Sequence, residues 1–181
     1  MLKDVPLSLH FRPLQPIHFP LLLKWINTKH VSRWWKENRH WSLDDITQKY
    51  ETYCKGYKEI GDSTKPIHAF IIELQSQPLG FIQYYNAYDF PRENGPLPPE
   101  LSKNLAALDL FIGEPDFIGK GLGPIIINTF LNDQVKLMFN ACFVDPDRAN
   151  QQAIRAYEKA GFQRTSSPSK GKVIEMVKAL R

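Results

Sequence analysis

Cysteine is scarce in this sequence, and so are long apolar runs and charge of a single sign. The 181 residues include only two cysteines, Cys54 and Cys142, which are too few for a disulfide framework or a zinc cluster. No apolar run approaches the roughly 20 residues that a membrane helix needs, and the N-terminus lacks a secretory signal pattern. The net charge is only +4, with the basic residues scattered. We therefore expect a reduced, cytoplasmic setting, no membrane and no nucleic-acid partner.

What is present indicates one α/β domain spanning residues 1–181, with 43% hydrophobic and 23% charged residues. Alternation and turn signals predict strands at 7–14, 66–74, 78–88, 105–113, 141–146 and 172–180. Apolar spacing and capping residues predict helices at 18–30, 43–59, 124–139 (with a break near Asn132) and 150–162. We therefore expect a mixed, mostly antiparallel sheet flanked by helices.

The stretch 89–104, "DFPRENGPLPPELSKN", predicts a long loop because it is rich in proline and polar residues. Its carboxylates Asp89, Glu93 and Glu100 can attract a cationic ligand, or they can simply be solvated.

A glycine-rich segment, "EPDFIGKGLGPIII" at 114–127, lies between a predicted strand and a predicted helix. Gly119, Gly121 and Gly123 allow a ligand to approach the backbone, and Pro124 fits the first turn of a helix. A Walker loop would need Ser or Thr after Lys120, and a dinucleotide fingerprint would need glycine at position 124 or 126. The loop alone therefore leaves two readings open, a phosphate cradle or a turn into a buried helix.

The residues that follow decide between them. "DPDRANQQAIRAYEKAGF" at 145–162, after "IGKGLGPIII", resembles the Gcn5-related N-acetyltransferase (GNAT) family, which binds acetyl-CoA. In that family a Q/R-x-x-G-x-G/A loop holds the pyrophosphate of CoA, and Gly121 and Gly123 match its glycines. Asn150 and Tyr157 match an asparagine that contacts the cofactor and a tyrosine that points toward its sulfur. The chain departs from the family at Ile118, where Gln or Arg is usual.

A wider and patchier resemblance points to the aminoglycoside 6'-N-acetyltransferase branch. It rests on "WINTKHVSRWW" (25–35), "FIQYY" (81–85) and the aspartate of "LDLFIG". In that branch an aspartate precedes the first glycine of the loop by ten residues, as Asp109 precedes Gly119. The resemblance implies direct acetyl transfer from acetyl-CoA to a primary amine of a small polyamine or aminoglycoside-like acceptor. It also implies a sheet that splays between the strands at 105–112 and 141–145.

The resemblance implies the following site. Asp109 is the candidate base, although it can instead orient the amine or be structural, and Tyr157 is the candidate general acid, although its spacing also fits a core stripe. Backbone N–H groups near 110–112 would stabilise the oxyanion. The cofactor-binding candidates are Phe111, Ile112, Ile118, Gly119, Lys120, Gly121, Leu122, Gly123, Pro124, Asn150, Ala153 and Tyr157. The substrate-binding candidates are Trp34, Trp35, Glu73, Gln83, Tyr85 and Asp109.

Other interpretations stay open on sequence alone. Siderophore-type lysine N-acyltransferases share this outline, but they carry a His-x-Asp pair where this chain has "ALDLF". A non-catalytic acyl-CoA-binding module is another alternative. The aromatic and basic stretch around Trp34, Trp35 and Trp41, with Arg33, Lys36, Arg39 and His40, can also indicate RNA binding. We expect no metal, because the five histidines are dispersed, and a monomer or homodimer.

Overall fold

The computed structural model describes residues 8–35, 39–166 and 171–181. Leu7 and Lys36, which belong to the predicted first strand and the predicted basic stretch, lie outside those ranges. The strands are β1 Leu9–Pro13, β2 Tyr57–Ile60, β3 Ser63–Pro66, β4 His68–Leu74, β5 Gln77–Asn86, β6 Leu105–Ile112, β7 Ala141–Val144, β8 Gln163–Arg164 and β9 Met176–Ala179. The helices are α1 Phe19–Ile26, α2 Lys29–Ser32, α3 Leu43–Cys54, α4 Leu122–Phe130 and α5 Gln151–Lys159. No described helix has the length and apolar character needed to cross a membrane.

Seven of these strands form one twisted sheet in the order β1–β4–β5–β6–β7–β9–β8. Its neighbouring strands are antiparallel except for β6 and β7, which are parallel. Because side chains alternate along a strand, Ile82 and Leu108 pack under α4 and α5, while Phe81 and Phe111 pack under α1 and α3. The predicted mixed, mostly antiparallel α/β fold is confirmed.

The N-terminal helices are fixed to the end of β6. Trp25 of α1 is fully buried, and its Nε1 donates a hydrogen bond of 2.8 Å to Glu114, which also pairs with Lys24 at 2.6 Å. Gly113 lies directly beneath the indole, where a Cβ atom would come within 2.2 Å of the ring. This close packing carries α2 and the residues after it over the carboxyl end of β6.

Several predicted boundaries differ from the structure. Helix α3 ends at Cys54 rather than at residue 59, because Gly56 adopts φ +86° and the chain turns into the β2–β3 hairpin. Helix α4 begins at Leu122, two residues before the predicted start. A π-helical turn over Leu131–Val135 follows it, at the position where the break was expected.

Candidate active site

The sheet opens between β6 and β7. These strands pair only over residues 105–107 and 141–143, although β6 continues to Ile112. The carbonyl of Leu105 accepts from the N–H of Ala87, on the β5 side. Backbone groups alternate sides along a strand, so residues 108, 110 and 112 direct their N–H and C=O groups into the gap. The predicted splay is confirmed, and the gap offers backbone hydrogen bonds to an extended ligand.

A cavity of about 1010 Å³, which we call the loop cleft, opens at this gap. It lies between the glycine loop, the end of β6, the start of α5 and the residues around α2. The predicted cofactor residues that line it are Phe111, Ile112, Ile118, Gly119, Gly121, Leu122, Gly123, Pro124, Asn150, Ala153 and Tyr157. Lys120 does not line the cleft, and its exposed side chain keeps the ammonium group hydrated, so its predicted part in cofactor binding stays a prediction.

Gly121 sets the start of helix α4 at the wall of the loop cleft. Its φ of +75° is left-handed, a conformation that residues with a Cβ atom rarely adopt. The N–H groups in the first turn of a helix have no intrahelical partner, and the positive end of the helix dipole lies there. The loop can therefore hold an anion through its backbone, although Ile118 stands where the resemblance implies Gln or Arg.

The charge of the loop cleft has one sign. Four cations line it, Lys29, Arg33, Arg155 and Lys159, and no carboxylate does so among the described residues. Arg155 and Lys159 were missed from sequence, although they lie four residues apart and therefore on one face of α5. A cleft with this charge suits a polyanion such as a nucleotide with several phosphates.

A second cavity of about 520 Å³, which we call the inner cavity, meets the loop cleft. It lies on the other side of the gap and is lined by Gln83, Tyr85 and Asp109. The residues that line both cavities are Trp34, Trp35, Leu110, Asn150, Ala153 and Tyr157. The two cavities therefore join beside β6 and the start of α5, where Asn150 caps the helix by accepting from the N–H of Ala153 at 3.1 Å.

Asp109 and Gln83 form a hydrogen-bonded pair in the inner cavity. They face each other across β5 and β6, and Gln83 Nε2 donates to Asp109 Oδ2 at 2.9 Å. Gln83 is only 8% exposed, and its Oε1 is buried without a hydrogen-bond partner among the described residues. A buried amide oxygen without a partner is costly, so Oε1 is an acceptor suited to a bound donor.

Two tyrosines lie close enough to Asp109 to respond to its charge. Burial, followed by the negative charge of Asp109, raises the pKa of Tyr53 to about 12. The same causes, in the same order, raise the pKa of Tyr85 well above its usual value. Both hydroxyls are therefore neutral around Asp109, and the carboxylate stands out as the anionic group in this part of the cavity.

Tyr157 lies where the two cavities join. It is 8% exposed, and its ring packs edge-on against Phe162 with centroids 5.4 Å apart. Burial, and then the charge of Asp109, raises the pKa of Tyr157, so the phenol keeps its proton. No hydrogen bond joins its hydroxyl to another described residue. The group is available to a ligand that crosses the junction.

Trp34 and Trp35 form part of the wall between the cavities. The Trp35 ring packs edge-on against Phe111, with centroids 4.8 Å apart, and its Nε1 donates to the Tyr50 hydroxyl at 3.2 Å. Trp41 is 3% exposed, so it cannot stack on a nucleobase. This burial weighs against the RNA-binding interpretation of the aromatic stretch.

Glu73 is a correction to the predicted site. It lines neither cavity and accepts a hydrogen bond of 2.6 Å from Arg12 on the edge strand β1. The register shows why: Gln83 pairs with Ala69, so Glu73 lies four residues further along β4, about 13 Å away.

Two further groups in the site were missed from sequence. His30 lines the loop cleft, where its Nε2 lies 3.1 Å from the carbonyl oxygen of Ile112 at the end of the gap. Arg92, from the long loop, lies in the inner cavity beside Asp145 and Glu175. Asp145 directly follows strand β7, and this position could have marked it as a residue of the site. Arg92 lies in a stretch without periodicity, so nothing in the sequence marked it.

Comparison with known proteins identifies the chain. The model of the acetyltransferase (GNAT) domain family matches residues 16–168. The chain belongs to the GNAT acetyltransferase family. It is therefore an acetyltransferase that uses acetyl-CoA, and the cationic loop cleft with its anion-binding loop fits the phosphates of that cofactor.

Relatives of this GNAT protein include enzymes named for aminoglycosides. Aminoglycoside N(6')-acetyltransferase type 1 of Klebsiella pneumoniae is 30% identical over 165 residues, which cover 87% of this chain and 76% of the relative. The solved structure of AAC(6')-Ib with ribostamycin and coenzyme A has a TM-score of 0.76 at 24% identity, covering 96% of this chain and 94% of the other. The spermidine N-acetyltransferase of Vibrio cholerae, with CoA and spermine, has a TM-score of 0.69 at 18% identity, covering 94% and 95%. The structural similarities at these identities establish the fold.

Proposed function

We propose that this one-domain acetyltransferase acetylates a primary amine of a small polyamine or aminoglycoside-like acceptor by direct transfer. The observation that carries the proposal is the junction of the two cavities beside Asp109 and Tyr157. One cavity is cationic and suits CoA, and the other contains a carboxylate paired with a buried amide. The names of the relatives support the acceptor class.

Asp109 is proposed to take the proton that the amine must lose. An alkylammonium with a pKa of about 10.4 is neutral in roughly one molecule out of a few thousand at pH 7, so attack needs a base. The Asp109 carboxylate attracts the ammonium, and Gln83 Oε1 accepts a second N–H from it, which fixes the nitrogen. Gln83 Nε2 and the Tyr85 hydroxyl both donate to the Asp109 carboxylate, which orients it to take the proton.

Tyr157 and the backbone of β6 are proposed to act on the other side of the bond that breaks. Bound acetyl-CoA supplies an acetyl group activated as a thioester. The gap-facing N–H groups of Leu110 and Ile112 stabilise negative charge on the acetyl oxygen as the C–N bond forms. Tyr157 gives its proton to the sulfur as the C–S bond breaks.

A turnover screen tests the proposal. Acetyl-CoA consumption would be followed with aminoglycosides, polyamines, lysine-type hydroxamate precursors and peptides, and the acetylated products identified by mass spectrometry. We expect turnover with small amines. Turnover confined to peptides would refute the acceptor class, and CoA binding without any acetylation would favour a non-catalytic module.

The variant Asp109→Asn separates the base from a purely orienting carboxylate. If Asp109 is the base, its replacement lowers kcat/KM about 100-fold or more at neutral pH, and the rate recovers as the pH approaches the pKa of the amine. An orienting carboxylate would instead raise KM at every pH. Asp116→Asn is the matched control, because Asp116 is exposed and lines neither cavity.

We also propose a cytoplasmic location and a monomer or homodimer. Both cysteines are free, and Cys142 is fully buried in β7, which agrees with a reducing compartment. Size-exclusion chromatography with light scattering would measure the oligomeric state.

A further inference from the structure

Arg92 is held inside the inner cavity by several independent contacts. Its Nη2 lies 3.1 Å from Glu175 Oε1 and 3.4 Å from Asp145 Oδ2, and its Nε donates to the carbonyl of Gly95 at 3.2 Å. The guanidinium also lies over the ring of Phe143, 4.6 Å from the centroid. The side chain is 16% exposed, so the long loop inserts a nearly buried cation among the acceptor-side residues.

Burial of Glu175 explains why Arg92 stays in place. The side chain of Glu175 is 6% exposed, and a buried carboxylate is costly without a cationic partner. Asp145 is different, because its side chain is 35% exposed and it lines the inner cavity. Arg92 therefore serves two anions, one structural and one that a ligand can reach. It reduces the attraction of Asp145 for a second cation.

The described lining of the inner cavity contains equal numbers of positive and negative side chains. Its described lining contains four carboxylates, Glu93, Asp109, Asp145 and Asp147, and four cations, Lys49, Lys58, Arg92 and Lys172. A site that selects polycations by charge would need a clear excess of carboxylates. This lining attracts one ammonium at Asp109 without attracting a highly charged acceptor as a whole.

We propose that Arg92 determines acceptor specificity by limiting the positive charge that the acceptor can carry. The proposal rests on the proposed amine acetylation, and within its acceptor class it favours aminoglycoside-like molecules with few ammonium groups over polyamines. The preferred acceptor presents one ammonium to Asp109 and has a body of low net charge, so aminoglycosides with four or more ammonium groups bind weakly.

The test removes the charge of Arg92 together with that of Glu175, the buried carboxylate 3.1 Å from it. The double variant Arg92→Met/Glu175→Gln deletes one positive and one buried negative charge, and it removes the Arg92 charge from beside Asp145. Binding of ribostamycin, a polycation, and of methyl 6-amino-6-deoxyglucoside, a monoamine, would be measured by calorimetry at low ionic strength, with acetylation followed in parallel.

We expect ribostamycin to bind about tenfold more tightly to the double variant, with the affinity for the monoamine changed less than twofold. Arg92→Lys, which keeps the charge, should retain the discrimination of the wild type. Lys103→Met is the matched control, because this exposed lysine of the same loop lines neither cavity. Thermal unfolding would verify that each variant is folded.

An unchanged ratio of the two affinities in the folded double variant would overturn the inference, and so would an equal gain in Lys103→Met. The binding measurements test the role of Arg92, and the turnover measurements test the proposed function. A shifted ratio in a protein that acetylates no amine would support the role of Arg92 and refute the proposed function. Turnover of both amines with an unshifted ratio would do the reverse.

Discussion

Removal of a single oxygen from Tyr157 tests the proposed chemistry most directly. In Tyr157→Phe the ring keeps its contact with Phe162 at 5.4 Å, and no hydrogen bond to another described residue is lost. We therefore expect the free energy of unfolding to change by less than about 0.5 kcal/mol. The pKa of this phenol is raised, so the hydroxyl carries its proton at neutral pH.

The expected loss is in the chemical step. General acid catalysis contributes about 100- to 10,000-fold, and water in the open junction can replace part of it, so kcat should fall about 10- to 100-fold. The affinity for acetyl-CoA, measured by equilibrium binding, should stay within about twofold, since the backbone loop and the cations hold the phosphates.

Steady-state kinetics with a single amine, alongside CoA binding, would measure both effects. Tyr84→Phe is the matched control, because Tyr84 is a buried tyrosine on β5 that lines neither cavity. An unchanged kcat in Tyr157→Phe would refute the general-acid role. A parallel loss of kcat in Tyr84→Phe would show that the effect comes from packing.

Three further predictions concern the parts that support the site. Gly113→Ala should cost about 1–3 kcal/mol, because the new Cβ would come within 2.2 Å of the Trp25 ring, and an unchanged midpoint of urea unfolding would contradict this packing. Asp45 accepts hydrogen bonds from Ser42 that lower its pKa from 3.8 to about 2, so its contribution to stability is complete above pH 3.8 and is lost as the pH falls through about 2. The difference in urea midpoint between the wild type and Asp45→Asn should therefore shrink across that range, and a constant difference would argue against the hydrogen bonds as its source. Arg155→Gln should raise KM for acetyl-CoA about two- to fivefold at low salt, with the effect fading at high salt, and a salt-independent change would exclude a screened phosphate contact.

Local signals in the sequence were sufficient for most of the fold. The alternation of β4, β5 and β6 and the apolar spacing of α1 and α5 depend on neighbours in the chain, so they were readable directly. The β2–β3 hairpin was missed because "KGYKEI" continues an apparently helical, charged stretch. Helix α3 ends before this stretch because Gly56 adopts a left-handed backbone conformation, and strand β2 follows it.

The cofactor side of the site was more predictable than the acceptor side. The glycine loop, Asn150 and Tyr157 are carried by two contiguous motifs, and the fold brings both to the loop cleft. The inner cavity collects residues from β5, β6, β7, the long loop and the C-terminal segment. Glu73 was assigned to it wrongly, because residue type and strand do not reveal how far along the strand a side chain lies.

By itself, the sequence was enough to show the resemblance to the GNAT family, because the motifs that carry it are short and contiguous. That resemblance implied acetyl-CoA and the candidates Asp109 and Tyr157. Only the tertiary structure decided which charges meet. Glu175 lies 83 positions after Arg92 in the chain, yet its Oε1 lies 3.1 Å from Arg92 Nη2. Asp145 Oδ2 lies 3.4 Å from the same nitrogen. Coulomb energy depends on distance in space and on burial, and sheet register and loop packing set both.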